Sequence, residues 1–278
     1  MTLASKVALV TGGSSGLGRA MVTALARAGA AVAFTYRAHA ADAQALVEEL
    51  SPAVPIVAVQ GDVNSEADVA RFTGEATARF GRLDILVNNA GIIRDGLVLR
   101  MRPEDWQAVI ETNLTGAVRC SRHAIPHLLA AGGGRIINIA SVAGVVGSAG
   151  QANYSAAKAG LIGLTEALAR ELAPQGVTVN AVAPGSIDAG IVARLSDEAR
   201  RRLLAVIPMG RMGTAAEVAA LVVFLAGPQA GYITGQTIVI DGGATIPVFS
   251  ATGTVPSAGT LPGSRVGSAG FGRRPAQR

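Results

Sequence analysis

Through its first 245 or so residues the chain alternates seven short, β-branched apolar runs with longer Ala- and Leu-rich stretches, and few folds accommodate that rhythm. The runs are Val7–Thr11, Ala31–Tyr36, Ile56–Gln60, Ile85–Asn88, Arg135–Ala140, Val177–Ala183 and Thr237–Ile240. They are apolar nearly throughout, as strands covered on both faces are. Helices are predicted between them at Gly16–Ala28, Ala41–Leu50, Glu66–Phe80, Pro103–Ala131, Ser155–Ala173 and Ala215–Ala226. Such alternation implies an α/β architecture: a doubly wound parallel sheet of about seven strands with helices on both faces. No linker or shift in composition divides the region, so residues 1–248 are expected to form one domain.

After Ala244 the rhythm ends. Residues 249–278 are rich in Gly, Ser, Pro and Ala and show no hydrophobic period. Such a segment buries too little apolar area to offset its ordering entropy, so a disordered tail is expected. The tail also accounts for most of the net charge of +5, because it carries Arg265, Arg273, Arg274 and Arg278 and no acid. The remainder holds 20 Lys and Arg against 19 Asp and Glu. A nearly neutral body without a basic stripe argues against nucleic-acid or membrane-surface partners. The single cysteine, Cys120, excludes an intramolecular disulfide framework and a thiolate metal cluster. The longest apolar stretch, Ala215–Ala226, is interrupted by Glu217 and is too short to span a bilayer. The opening Met-Thr-Leu-Ala-Ser-Lys does not read as a signal peptide. A soluble, cytoplasmic protein is expected.

The first predicted strand runs into Thr11-Gly12-Gly13-Ser14-Ser15-Gly16-Leu17-Gly18 and then an Ala-rich helix. Glycines there let the backbone turn tightly and let a pyrophosphate approach the helix N-terminus, where free N–H groups and the dipole favour anions. A ligand-free Gly-rich turn is the competing reading. The second strand ends Thr35-Tyr36-Arg37, with no acid until Asp42. An acid at that point would bind a ribose 2′-hydroxyl and repel a 2′-phosphate. Arg37, aided by Ser14, Ser15 and Thr35, suits a phosphate instead, and NADP(H) is predicted over NAD(H). The competing reading makes Arg37 a solvated loop residue. Asp62, with Val63 after it, stands either to bond an adenine amino group or to cap the following helix. Asn88-Asn89-Ala90-Gly91 ends the fourth strand, where small and amide residues can border a cofactor and tie strands together.

Tyr154 and Lys158 stand at i and i+4 on one helical face. A nearby ammonium stabilises a phenolate, and a drop of about three pKa units corresponds to roughly 4 kcal/mol of differential interaction. That would tune Tyr154 for general acid–base work. An ordinary helical pair is the alternative. Ser141 lies just past the fifth strand, where strand ends converge on one crevice and a hydroxyl can hold a carbonyl oxygen. Asn113, flanked by Thr112 and Thr115, makes a helix polar where it should be buried; it can bond within the helix or bind water behind Lys158. The sixth strand ends at Pro184-Gly185, a break that can wall a nicotinamide. His39, His123 and His127 fall away from these motifs, no carboxylate pairing suggests a metal, and Trp106 reads as a packing residue. The charged stretch Asp188–Arg202 suggests a lid, with Arg194, Arg200, Arg201 and Arg202 read first as a solvated helix face.

Taken together, TGGSSGLG, NNAG, Asn113, Ser141, YSAAK and PG resemble, in order, the motifs of the short-chain dehydrogenase/reductases over about residues 4–245. The stretches RDGLVLRM, EDWQAVIETNLTG, GQANYSAAKAGLIGLT, GVTVNAVAPG and YITGQTIVIDGG are similar to the 3-oxoacyl-(acyl-carrier-protein) reductases within that family. The resemblance implies a Rossmann-like fold and NADPH-dependent reduction of a 3-oxoacyl thioester, bound to carrier protein or coenzyme A. It implies Tyr154 as proton donor, Ser141 orienting the carbonyl, Lys158 binding the nicotinamide ribose, and Asn113 holding a water that links Lys158 to solvent. Gly12, Ser14, Ser15, Gly16, Leu17, Gly18, Arg37, Asp62, Val63, Asn89, Ala90, Gly91, Tyr154, Lys158, Pro184, Gly185 and Ile187 would meet the cofactor. A homotetramer is also implied, with the Asn113 and Tyr154 helices against a neighbour. The chain departs from the pattern in three places. Ala189 replaces a threonine beyond PG; the loop Ala130–Gly134, basic in carrier-protein users, is uncharged up to Arg135; and the tail is unusual. These departures support an alternative reading as a ketoreductase of polyketide or other secondary metabolism, or another NADP-dependent alcohol dehydrogenase.

Overall fold

The computed structural model describes residues 2–189 and 196–246, and the chain through Thr245 forms one compact unit. The tail at 249–278 and residues 190–195 of the expected lid, including Arg194, lie outside the described residues. A seven-stranded parallel sheet runs in the order β3-β2-β1-β4-β5-β6-β7. Its strands are β1 (Val7–Val10), β2 (Ala31–Tyr36), β3 (Ile56–Gln60), β4 (Ile85–Asn88), β5 (Gly134–Ile139), β6 (Val177–Pro184) and β7 (Thr237–Ile240). The order turns back beside β1: the chain builds outward through β2 and β3, then returns to place β4 on the other side of β1. A crevice therefore opens at the carboxyl ends of β1 and β4, where crossovers diverge to opposite faces.

Period-two alternation along β1 assigns the two faces. Ala8 and Val10 pack with Val22 and Leu25 of α1 (Gly16–Arg27), Leu46 of α2 (Ala40–Leu50) and Val222 of α9 (Ala215–Ala226). Val7 and Leu9 face the opposite layer. There they meet Phe72 of α3 (Glu66–Phe80), Cys120 of α5 (Gly116–Ala130) and Leu172 of α7 (Ala152–Leu172). Leu25, Leu46 and Phe72 are fully buried, each stabilising the fold by roughly 1.5–3 kcal/mol. The doubly wound expectation holds.

Three local differences matter for the site. The predicted helix Pro103–Ala131 is α4 (Pro103–Ile110) and α5 joined by a π-helical stretch, Glu111–Thr115, where Gly116 N–H donates to Glu111 O. Hydrophobic periodicity does not register one extra residue in a turn, and such stretches often mark functional positions. A short helix α6 (Val142–Val146) follows β5, with Ser141 as its N-cap. Helix α7 begins at Ala152, so Tyr154 lies inside its first turn. Part of the expected lid is α8 (Asp197–Ala205). Among the described residues no helix is long and apolar enough to cross a membrane.

Candidate active site

At the end of β1 the glycine loop is shaped by backbone. Gly12 N–H donates to Thr35 Oγ1 at 3.1 Å and Gly13 N–H to Thr35 O at 2.8 Å, pinning the loop to β2. Gly12 and Gly16 have φ of 65° and 53°, where a side chain is strained. A Cβ at Gly18 would stand 2.0 Å from Gly12 O, so helix and loop can close only on glycine. Ser15, the N-cap of α1, makes no side-chain capping bond, and the first turn holds no acid. Free N–H groups and an uncommitted hydroxyl thus face the crevice, as an anion requires. Asn89 Nδ2 donates to Thr11 O and Gly12 O at 2.9 and 3.0 Å, tying β4 to the loop.

The cleft beside this loop has a volume of about 390 Å³. Of the predicted cofactor residues it is lined by Gly12, Ser14, Ser15, Leu17, Gly18, Arg37, Asp62, Val63, Asn89, Ala90 and Gly91. At its outer end Arg37 Nη1 lies 3.7 Å from Asp62 Oδ2. Helix α3 is capped by Ser65, whose Oγ accepts from Asp68 N–H, while Asp62 accepts from Asn64 N–H. The capping alternative for Asp62 is thereby removed. His39 corrects the sequence reading: it also lines the cleft, next to Arg37, because it adopts a left-handed conformation (φ 64°) that turns the chain into α2. Thr35, Gly61, Ile92 and Thr112 line it too; the last two come from segments far apart in sequence, joined through Asn113.

The chemical end lies past β5. Ser141 caps α6 by accepting from Ala143 N–H at 3.2 Å, and its hydroxyl is near enough to the Tyr154 phenol to act on its pKa. Lys158 is buried at 4% exposure, donates to Ile139 O at 2.6 Å, and stands 5.5 Å from the Tyr154 ring centroid. Burial pushes its pKa down to about 8. The expected acidic phenol is corrected: burial raises the Tyr154 pKa above its ordinary value, the Ser141 hydroxyl only partly opposes this, and the Asp95 carboxylate adds a smaller push upward. Desolvation disfavours the phenolate, the charged form of the group. Asn113 bonds across to another segment. Its Oδ1 accepts from Ile92 N–H at 2.8 Å and its Nδ2 donates to Ile92 O at 2.9 Å, so the side-chain amide braces the segment after β4. Neither side-chain bond lies within its own helix.

Gly16, Tyr154, Lys158, Pro184, Gly185 and Ile187 do not line the glycine-loop cleft; Gly16 borders a groove between α1 and α9, and the others belong to α7 and to the end of β6 and the chain just after it. Ile187 is buried in the core, packed over Gly213, so its side chain is not presented outward. Gly185 packs on Asp241, where a Cβ would come within 2.7 Å. Sequence reasoning missed a buried amide ladder, in which Asn88 Nδ2 donates to Ser121 Oγ and Asn138 Oδ1, and Asn138 Nδ2 to Thr165 Oγ1. It crosses β4 and β5 toward α7, and asparagines inside apolar strands were its available signal. Among the described residues no three His, Cys, Asp or Glu side chains are grouped to hold a metal.

A family model described as enoyl-(acyl carrier protein) reductase matches residues 12–245. The chain belongs to the short-chain dehydrogenase/reductase family. Among curated relatives of that family, a 3-oxoacyl-[acyl-carrier-protein] reductase of Staphylococcus aureus is 48% identical over 240 residues, 86% of this chain and 98% of the relative. The namesake from Synechocystis is 49% identical over 243 residues, 87% of this chain and 97% of its own. That of Vibrio cholerae is 46% identical over 243 residues, 87% and 98% respectively. As a short-chain dehydrogenase/reductase the chain is an oxidoreductase acting on a ketone/alcohol pair with a nicotinamide cofactor. The donor set fits that group: a glycine cradle, an uncommitted Ser15 at a helix N-terminus, and a buried amine one helical turn from a phenol.

Proposed function

We propose that the protein reduces 3-oxoacyl thioesters to 3-hydroxyacyl products with NADPH. The observation that carries this reading is buried Lys158, held on Ile139 O and 5.5 Å from the Tyr154 ring, with Ser141 at the adjoining end of β5. The names of the curated relatives, at nearly half identity and almost full length, supply the substrate class. Arg37 at the end of β2, with no acid at that strand end, supports the 2′-phosphorylated cofactor.

The nicotinamide cofactor, when bound, supplies the hydride for the keto carbon. The protein's own residues do the rest. The α1 N-terminus, with Gly12, Ser14, Ser15, Gly16, Leu17 and Gly18, holds the pyrophosphate; Arg37 holds the 2′-phosphate; Asp62 and Val63 border the adenine. Asn89, Ala90 and Gly91 flank the ribose nearer the reaction, and Pro184, Gly185 and the backbone at Ile187 close the nicotinamide side. Ser141 Oγ donates to the substrate carbonyl oxygen and holds it against Tyr154 Oη, which gives that oxygen its proton. Lys158, with one of its three N–H groups on Ile139 O, has two left for the ribose and for recharging the phenol. Asn113 braces Ile92 beside this site, so a proton path behind Lys158 runs through atoms other than its side-chain amide.

Trp106, Val118 and Leu129 on α4 and α5 are each about 40% exposed, which supports the homotetramer that the resemblance implies. Light scattering on the purified full chain checks it. One observation favours a different substrate in the same chemistry. Arg135, the first charge after the loop Ala130–Gly134, is half-buried with Nη1 on Gly134 O, and the α8 arginines Arg200 and Arg202 pair with Asp188 and Glu198. These cations are engaged within the chain rather than offered to an acidic carrier, which suits the ketoreductase alternative. The deciding experiment follows cofactor absorbance with acetoacetyl thioesters of carrier protein and of coenzyme A, and with cyclic ketones. Oxidation of NADPH by either thioester is expected; turnover confined to unrelated ketones or alcohols rejects the proposal.

A further inference from the structure

Tyr154 lies in the first turn of α7, and a helix end frays unless something outside the helix holds it. The N-cap residue, Gln151, gives its side-chain Nε2 to Asp95 Oδ1 at 3.0 Å instead of capping the turn. Its carbonyl takes the first bond along the helix, from Ser155 N–H at 2.7 Å. The Tyr154 N–H, one residue earlier, has no carbonyl of its own helix to reach. Asn153 Oδ1 accepts from it at 2.8 Å.

Asn153 also reaches away from the helix. Its side chain is fully buried, and Nδ2 donates to Arg94 O at 3.0 Å and to Asp105 O at 3.2 Å, 59 and 48 residues back in the chain. Two carbonyls on one side and an N–H on the other fit the amide in this orientation alone. Both carbonyls are fixed points. Asn113 grips the chain at Ile92, and Gly96 N–H donates to Gly150 O at 2.8 Å, so Arg94 stands between two ties. Asp105 belongs to the first turn of α4, and its carboxylate pairs with Arg102 at 2.7 Å. The body of α7 is docked by Leu161, Ala169 and Leu172. A buried amide adds little net stability to such a helix, because its bonds mainly offset its lost hydration. What its bonds add is direction at the turn that carries the phenol.

We propose that Asn153 is a positioning residue for Tyr154: by tying the Tyr154 N–H to the segment after β4 and to α4, it fixes where the phenol stands relative to Lys158 and the substrate oxygen. This rests on the assignment of Tyr154 as proton donor. Proton transfer is sensitive to such placement, since a shift of about 1 Å costs up to about 10²-fold in rate.

The test uses the full chain with NADPH, and with acetoacetyl coenzyme A and a cyclic ketone as substrates. Asn153→Ala removes all the side-chain bonds and is expected to lower kcat about thirtyfold with either ketone, while the cofactor Kd by calorimetry stays within about twofold. Asn153→Asp keeps an oxygen for the Tyr154 N–H and loses both donors. Its kcat falls about tenfold, and it replaces the alanine variant if that chain does not fold by circular dichroism. Each substitution is repeated on Tyr154→Phe. Because Asn153 acts through the phenol, it should change the residual turnover of that chain by less than about twofold. A folded Asn153 variant with wild-type kcat overturns the inference. So does an equal loss in kcat with and without the phenol, or a loss of cofactor affinity as large as the loss in kcat. Undiminished turnover in Tyr154→Phe overturns the proton-donor assignment instead.

Discussion

Gly12, Gly16 and Gly18 shape the adenosine end of the crevice by lacking side chains, whereas Asn113 and Lys158 shape the chemical end, beside half-buried Tyr154, by burying polar ones. At the first end, conformation is held by backbone bonds from Gly12 and Gly13 to Thr35, and the charged residues Arg37 and Asp62 stay in contact with solvent. At the second end, Lys158 and Asn113 are 4% and 1% exposed and lean on carbonyls of Ile139 and Ile92. One end recognises a ligand by leaving room and free N–H groups. The other tunes a proton by removing water, which changes pKa values far more than surface placement does. A short local motif therefore suffices for the first, and only a packed interior produces the second.

The sharpest way to break this contrast is Tyr154→Phe. It deletes one hydroxyl of a half-buried side chain and should reduce ketone turnover by about 10³-fold, within the usual range for a lost general acid, with cofactor binding retained by fluorescence titration. Equal losses in turnover and binding would show that the two ends are not separable.

Within the glycine loop, Gly18→Ala forces a methyl against Gly12 O and Asn89 Nδ2, where a Cβ would stand 2.0 and 2.7 Å away. We expect about 3 kcal/mol of destabilisation in denaturant unfolding, with cofactor affinity lost. Gly16→Ala, with open space around its Cβ, should cost only the positive φ, about 1 kcal/mol. Similar costs at the two sites would mean that conformation rather than crowding explains the motif.

Lys158→Met tests the opposite end. Burial holds Lys158 at about 8, below the ordinary 10.5, so the folded state disfavours its proton. Between those values the unfolded chain binds more protons, and wild-type stability from this group rises with pH across that window. At pH 7 the substitution should therefore stabilise the fold by about 2 kcal/mol, after allowing for the lost bond to Ile139 O, while abolishing activity. Destabilisation at pH 7 would remove the argument that this amine is retained for chemistry at the expense of the fold.

The smallest effect is expected at the exposed rim. Arg37→Ala should weaken NADPH binding about tenfold and leave NADH binding nearly unchanged, as measured by calorimetry. Loss of both in equal measure would make Arg37 a general support for the loop rather than a phosphate partner.

The elements were legible because their signals are local. Val7–Val10 and Ala31–Tyr36 are apolar on both faces, and the helices between them carry long Ala- and Leu-rich runs, so the doubly wound sheet follows from pattern alone. The π-helical stretch and α6 escaped because one extra residue per turn, or five residues of Val, Ala and Gly, leave no periodic trace. Ser141 was placed correctly at the end of β5, but its second task as the cap of α6 was not visible.

What the sequence alone determined is the order of strands and helices, the glycine cradle after β1, and the spacing of Tyr154 and Lys158 one turn apart. Tertiary structure decided the rest: that Asn113 grips Ile92, that Ile187 turns into the core, that His39 reaches the cleft, and that Tyr154 is raised rather than lowered. Each of these depends on which distant segment covers a polar atom and how much water it excludes, and that quantity exists only once the chain has closed upon itself.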